Sequence, residues 1–277
     1  MWRGPGARRS VPGAARVAGY HHDVNPRWAR PWFAATAICA VVGIVVSIVT
    51  AHNNVNGFFD DPIQRGANAL AFFTVQSNII VAVTTGLLAV RLDWPSALFR
   101  VVRLIGLVAI TVTGIVYHVA LASVVDLAGW EELGNQLVHT AVPVLTVVGW
   151  LAFGPRRAIS ARIAWMSLAF PVAWLAFTLI RGHVVGFYPY PFIDVRVLGY
   201  GEVVLNCVWV SLLMLALAGG AVTLDRRLSR THDPDPDPTL PTVTSAPTVS
   251  LRRRISQGSK SPSMRVLRLE GAASVFE

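Results

Sequence analysis

Six runs of apolar residues mark the chain, beginning near Trp32, Ala67, Val101, Asn135, Ile163 and Glu202. At about 20 residues, each is long enough to cross the hydrocarbon core of a bilayer as a helix. The pattern predicts an all-α integral membrane protein, a bundle of six transmembrane helices over residues 31–225. The first run is too long and lies too far into the chain to be a cleavable leader, and no small-residue cleavage pattern follows it. On either side the pattern lapses. Residues 1–30 are rich in Gly, Pro and Arg, and residues 226–277 carry Asp-Pro repeats, Thr/Pro/Ser sequence and the cluster Arg252 to Arg254. Such composition buries too little apolar surface to offset chain entropy, so both tails are expected to be disordered.

Composition agrees with a membrane domain. Of 277 residues 53% are hydrophobic and only 14% charged, with a mean hydropathy of +0.53. Charge then sets the expected orientation. Of the 24 Lys and Arg, only Arg65, Arg181 and Arg196 fall on the first, third and fifth connections. The rest fall on the tails and the second and fourth connections, and since positive residues stay inside, both termini are expected in the cytoplasm, with the domain in the cell membrane. The net charge of +9 thus reflects topology. A basic groove with interleaved aromatics is missing, which argues against nucleic acid as a partner. Cys39 and Cys207 lie within spans without metal-type spacing and read as packing residues. No cofactor or metal site is implied.

Polar residues inside the apolar runs are few, and helical geometry groups them. Thr74, Ser77 and Asn78 stand at i, i+3 and i+4 on one face. Asn135, Gln136 and His139 make a second stripe, Glu202 with Asn206 a third, and His118 and Arg181 lie near the ends of their spans. Measured from the expected span starts, all converge on the half of the membrane away from the termini. Thr74 is expected roughly 10 Å below the start of its span, and His139 about 6 Å into its own. Each has a plainer reading. Membrane Thr and Ser often bond a carbonyl of the preceding turn. His118 reads equally as a partner of His139 or as packing, Arg181 as an interfacial anchor or a ligand for an anionic group, and Glu202 and Asn206 as caps of the last helix. Trp130, Trp150, Trp165, Tyr188 and Tyr190 read as interfacial belt residues.

Three segments occur in order: Phe72-Phe73-Thr74-Val75-Gln76-Ser77-Asn78, then Asn135 to Pro143 with His139 inside it, then Gly186-Phe187-Tyr188-Pro189-Tyr190-Pro191-Phe192. Together they resemble the androgen-induced-protein family of multi-pass membrane hydrolases, and more closely its bacterial six-pass relatives. The resemblance covers roughly residues 32–224. It implies that Thr74 and His139 correspond to the family's catalytic threonine and histidine, which in animal members hydrolyse fatty acid esters of hydroxy fatty acids. Gln76-Ser77-Asn78 is more polar than the matching stretch in animal members, which points to a more polar ligand.

A hydroxyl beside an imidazole in an apolar pocket is also the minimum equipment of a nucleophilic acyl hydrolase. On that reading Thr74 attacks and His139 is the base, Ser77, Asn78 and Asn135 are candidate oxyanion donors, Arg181 holds a carboxylate, and Asn206 or Glu202 orients the histidine. The partner is a membrane lipid or lipid ester. Three rivals stand beside it: a haem carrier ligated by His118 and His139, a transporter using the same polar pocket, and a non-catalytic assembly protein.

Overall fold

The computed structural model describes residues 26–154 and 158–230, and among these the regular structure is entirely helical. Most of both expected tails, with the Arg252 to Arg254 cluster, lies outside the described residues. Among the described residues, six helices are long and apolar enough to cross a membrane: Arg27–Asn53, Phe73–Val90, Ala97–Leu121, Gly129–Phe153, Ala161–Val185 and Val195–Leu228. By length and composition this is a multi-pass membrane protein.

The first span is α1 (Pro26–Asn53). The second apolar run divides in two, a departure from the expected start at Ala67. Asp61 caps the short helix α2 (Pro62–Ala69) by accepting from the Ile63 N–H at 2.8 Å, with Pro62 preset for its first turn. The chain then turns extended at Phe72, and a fresh helix, α3 (Phe73–Val90), makes the crossing. Arg65 on α2 donates to the carbonyls of His52, Phe59 and Asp60, closing the connection over the end of α1.

The third span is α4 (Ala97–Val116), continued by a turn of π-helix at Tyr117–Leu121. The fourth begins six residues before its expected start, as α5 (Gly129–Gln136), widens into a second π turn at Leu137–Ala141, and finishes as α6 (Val142–Phe153). Helices α7 (Ala161–Ser167) and α8 (Ala169–Val185) form the fifth, and α9 (Val195–Arg230) the sixth, broken at Gly199 by a φ of 76°. So α9 starts before the expected Glu202 and runs past residue 225.

The centre of the bundle is where α1, α3, α4 and α6 meet, around Ala40, Val81, Ile110 and Val142, all essentially inaccessible. Several threonine hydroxyls on α1, α3 and α4 satisfy themselves locally. Thr36, Thr84, Thr85 and Thr111 each donate to the carbonyl four residues back, at 2.7–2.9 Å, as polar groups in an apolar medium must if no other partner is near.

Candidate active site

Thr74 differs from those hydroxyls because of where α3 begins. It is the second residue of the helix, so no preceding turn offers its side chain a carbonyl, and its own N–H is among the helix-start donors with no intrahelical acceptor. Both groups turn instead to other elements. The Thr74 N–H donates to the Tyr190 hydroxyl at 3.1 Å, and Thr74 Oγ1 lies 3.1 Å from that hydroxyl and 3.2 Å from His139 Nε2.

His139 reaches this position from the second π turn, in which the Val142 N–H bonds back five residues to the Leu137 carbonyl. Pro143 supplies no N–H to the His139 carbonyl, so an ordinary α-helical bond cannot form there. Such widened turns recur at functional sites, where they re-aim side chains. Gly114 lets α4 press against the turn, since a Cβ there would lie 3.1 Å from Pro143 and 3.2 Å from the His139 carbonyl oxygen.

His139 Nδ1 is 3.1 Å from the Asn135 carbonyl. A carbonyl only accepts, so Nδ1 carries the hydrogen and Nε2 presents a lone pair to Thr74. The hydrogens then run one way: Thr74 N–H to Tyr190, Tyr190 O–H to Thr74 Oγ1, Thr74 O–H to Nε2, and Nδ1–H to Asn135.

The surroundings fix these atoms. The Tyr117 ring stacks on His139 at 4.2 Å between centroids, and its hydroxyl accepts from the Asn135 amide. Asn78, wholly buried, donates to the Thr74 carbonyl at 2.8 Å and the Val138 carbonyl at 3.2 Å, joining α3 to the His139 turn. Ser77 donates to the Thr74 carbonyl at 2.9 Å and meets Thr113 at 3.1 Å. Ser77, Asn78 and Asn135 therefore spend their donors on bracing, not on an oxyanion.

Tyr190 is one of five aromatics that sequence reasoning placed in the interfacial belt. It is buried, with its ring between Phe72, Trp174 and Phe192 at centroid distances of 5.3–5.9 Å. Burial pushes its phenol pKa above the usual range, against the opposing hydrogen bonds with Thr74, so it stays a neutral O–H donor. Its loop leaves α8 through Gly186, whose φ of 77° suits glycine. Asn206 donates to the Phe192 carbonyl at 2.9 Å, tying the loop to α9, and the Trp174 indole to the Ala71 carbonyl at 3.0 Å, tying α8 to the residues just before α3. The signal was present in the sequence, as a tyrosine held between Pro189 and Pro191.

Other expected site residues lie elsewhere. His118 points to the exposed surface and meets Thr140 at 3.1 Å, in a line that continues through Gln136 to Glu132. It does not face His139, whose ring is covered by Tyr117, so this geometry does not present two axial haem ligands. Arg181 donates to Asn68 at 2.7 Å and sits over Phe59 and Phe187. Glu202 is exposed on α9, and Asn206 supports the Tyr190 loop, not the histidine.

Two chambers meet at the dyad. One, of about 260 Å³, lies among α4, α7, α8 and α9 and is walled by apolar residues such as Val112, Trp165, Leu168 and Met214. The other, of about 600 Å³, lies under the connections and carries Asn54, Arg65, Asn68 and Asn135. Thr74, Tyr117, Leu121, His139 and Tyr190 line both. Set against known proteins, the chain matches no family model, no curated protein and no solved structure; the family resemblance rests on the three motifs alone.

Proposed function

We propose that this protein is a membrane-embedded lipid-ester hydrolase with Thr74 as nucleophile, His139 as base and Tyr190 as the donor that steadies developing charge. The observation that carries it is the contact between Thr74 Oγ1 and an imidazole whose other nitrogen is already committed as a donor.

Thr74 Oγ1 attacks the ester carbonyl carbon as its proton passes to Nε2. The tetrahedral intermediate collapses by breaking the bond to the alkoxy oxygen, which takes the proton from Nε2 and departs as an alcohol, leaving Thr74 acylated. Water repeats the sequence: His139 takes its proton, the bond between the acyl carbon and Oγ1 breaks, Oγ1 recovers the proton, and a carboxylic acid leaves. During both steps the Tyr190 O–H swings from Oγ1 to the oxyanion, and the positive end of α3 favours charge there. The Asn135 carbonyl serves where a triad has a carboxylate, orienting the ring and accepting from the imidazolium. The resemblance to the threonine hydrolases of the androgen-induced-protein family assigns the same two residues. With the termini cytoplasmic, as the charge pattern requires, the site opens to the outer leaflet. The cavity at the opposite end of the bundle, with Asp93, Arg100 and Arg103 in its wall, shares no lining residue with the two chambers at the dyad, which favours hydrolysis over transport.

The test is hydrolysis of branched fatty acid esters by membranes holding equal amounts of wild type, Thr74→Ala, Thr74→Ser and His139→Ala. Hydrolysis by wild type and Thr74→Ser, with losses of about 10³-fold or more in the other two, is the expected result. Wild-type activity that survives Thr74→Ala would overturn the assignment.

A further inference from the structure

An ester bound at Thr74 sits on the wall shared by two unlike chambers. Its acyl and alkoxy substituents diverge from the planar carbonyl carbon, so they enter different chambers. The smaller chamber offers hydrocarbon little competition from polar groups, because most of its lining is apolar and the Asn206 and Ser211 side chains that reach it donate to the Phe192 and Cys207 carbonyls. It follows α9 from Asn206 to Leu215, about 14 Å at the helical rise. The larger chamber is different in kind. Among the described residues, its one formally charged lining residue is Arg65, and no Asp or Glu lines it. Arg65 is buried and its bonds go to neutral backbone carbonyls, so its positive field is not cancelled by an acid within the chamber.

We propose that the acyl chain occupies the chamber between α4 and α7–α9, while the alcohol part, anionic or neutral but not cationic, occupies the chamber beneath the connections, beside Arg65. This deepens the hydrolase reading and rests on it. Selectivity then divides by chamber. Acyl length is read by the far wall: membrane hydrocarbon is as apolar as the chamber, so affinity changes little per methylene until Trp165, Leu168 and Leu215 are reached, and longer chains are excluded. The charge of the alcohol is read near Arg65.

The experiment reads binding separately from turnover. A long-chain ketone carries the carbonyl in place of the ester and cannot be cleaved. A photoreactive diazirine is placed at its apolar end in one probe and on a terminal carboxylate arm in another. Full-length protein in lipid nanodiscs is irradiated with each and the labelled peptides are sequenced. Labelling of 165–175 and 207–215 by the first probe and of 51–59 and 187–191 by the second is expected. The reverse pattern, or labelling of neither chamber, overturns the partition.

Turnover supplies the second arm, using palmitoyl esters of glycolate, ethylene glycol and choline. The expected order is glycolate, ethylene glycol, choline. Asn54→Asp narrows or inverts it by ten-fold or more, because aspartate keeps the 3.0 Å bond to the Asn56 N–H while adding an opposing charge. Met214→Trp lowers turnover of long-chain esters at least ten-fold while sparing short ones. No shift in either variant overturns the assignments. If wild type cleaves no ester while the probes still map as expected, the hydrolase reading falls and the two-chamber binding site stands.

Discussion

The second and third spans differ sharply from the fifth and sixth. Half of the most apolar stretch of Phe73–Val90 is buried in the protein, and 56% of that in Ala97–Leu121, but only 11% in Ala161–Val185 and 17% in Val195–Leu228. Lipid tails are as apolar as leucine, so an exposed Leu or Val on α8 or α9 carries no solvation cost that packing must remove. The tight half carries Thr74 and, through the Asn78 bridge, fixes His139. The loose half contributes a wall of the apolar chamber and delivers Tyr190 on its loop. Reacting atoms need sub-ångström placement, whereas a wall that accommodates a flexible hydrocarbon needs only shape. The contrast separates chemistry from selectivity.

The hardest break in the comparison is at the dyad. Thr74→Ala or His139→Ala should remove about 10³-fold or more of the activity, with the smaller loss of thermal midpoint in Thr74→Ala, because His139→Ala empties the ring space stacked on Tyr117. Stability tests the other side. Ile110 is wholly buried at the centre and Trp209 is 64% exposed on α9. Ile110→Ala should cost about 2–4 kcal/mol, and Trp209→Ala no more than about 0.5 kcal/mol, measured by thermal or denaturant unfolding in the same detergent. Equal losses would mean that the loose half packs as firmly as the tight one.

Tyr190→Phe crosses between the halves. It keeps the ring among Phe72, Trp174 and Phe192 and removes only the hydroxyl. If Tyr190 steadies the oxyanion, kcat should fall about 10²-fold with KM nearly unchanged. A rise in KM at constant kcat would instead make it a binding residue.

Hydropathy made six crossings and the helical class legible because lipid imposes one rule on every span: internal hydrogen bonds and a sustained apolar run. It was weakest at the polar ends. The Gly129–Gln136 stretch, with Glu131 and Glu132, is too polar to count as membrane yet is helical, so His139 sits about 15 Å from its helix start where 6 Å was expected. The Asp61-Pro62 cap was readable and marks the separate helix that leaves Thr74 in a first turn. The stripe of Thr74, Ser77 and Asn78 held as one buried face. That of Asn135, Gln136 and His139 split, with Asn135 buried and Gln136 exposed. The stripe of Glu202 and Asn206 split as well. Tyr190 escaped because its role depends on a contact across 116 residues, to which local periodicity is blind.

The smallest expected effect concerns the loop that brings Tyr190 across. Just beyond it, Asp194 accepts from the Arg196 side chain at 2.7 and 3.0 Å, and this contact holds its carboxyl below the usual carboxylate range. A depressed carboxylate contributes its stabilisation in full above its unfolded value, near pH 4, and loses it as pH falls through the lower folded value. The pair is largely solvent-facing on the arginine side, so screening keeps its contribution small. Activity carried by Tyr190 should therefore show no inflection from this pair between pH 5 and pH 8, and Asp194→Asn should change kcat by less than about two-fold there. Below pH 4, as pH falls through the depressed folded value, the wild type should lose its small advantage over the variant in the loop's protection from proteolysis and converge on it. An Asp194→Asn defect as large as that of Tyr190→Phe at neutral pH would mean that the ion pair, and not the contacts of Trp174 and Asn206 with backbone carbonyls, holds the loose half of the site in place.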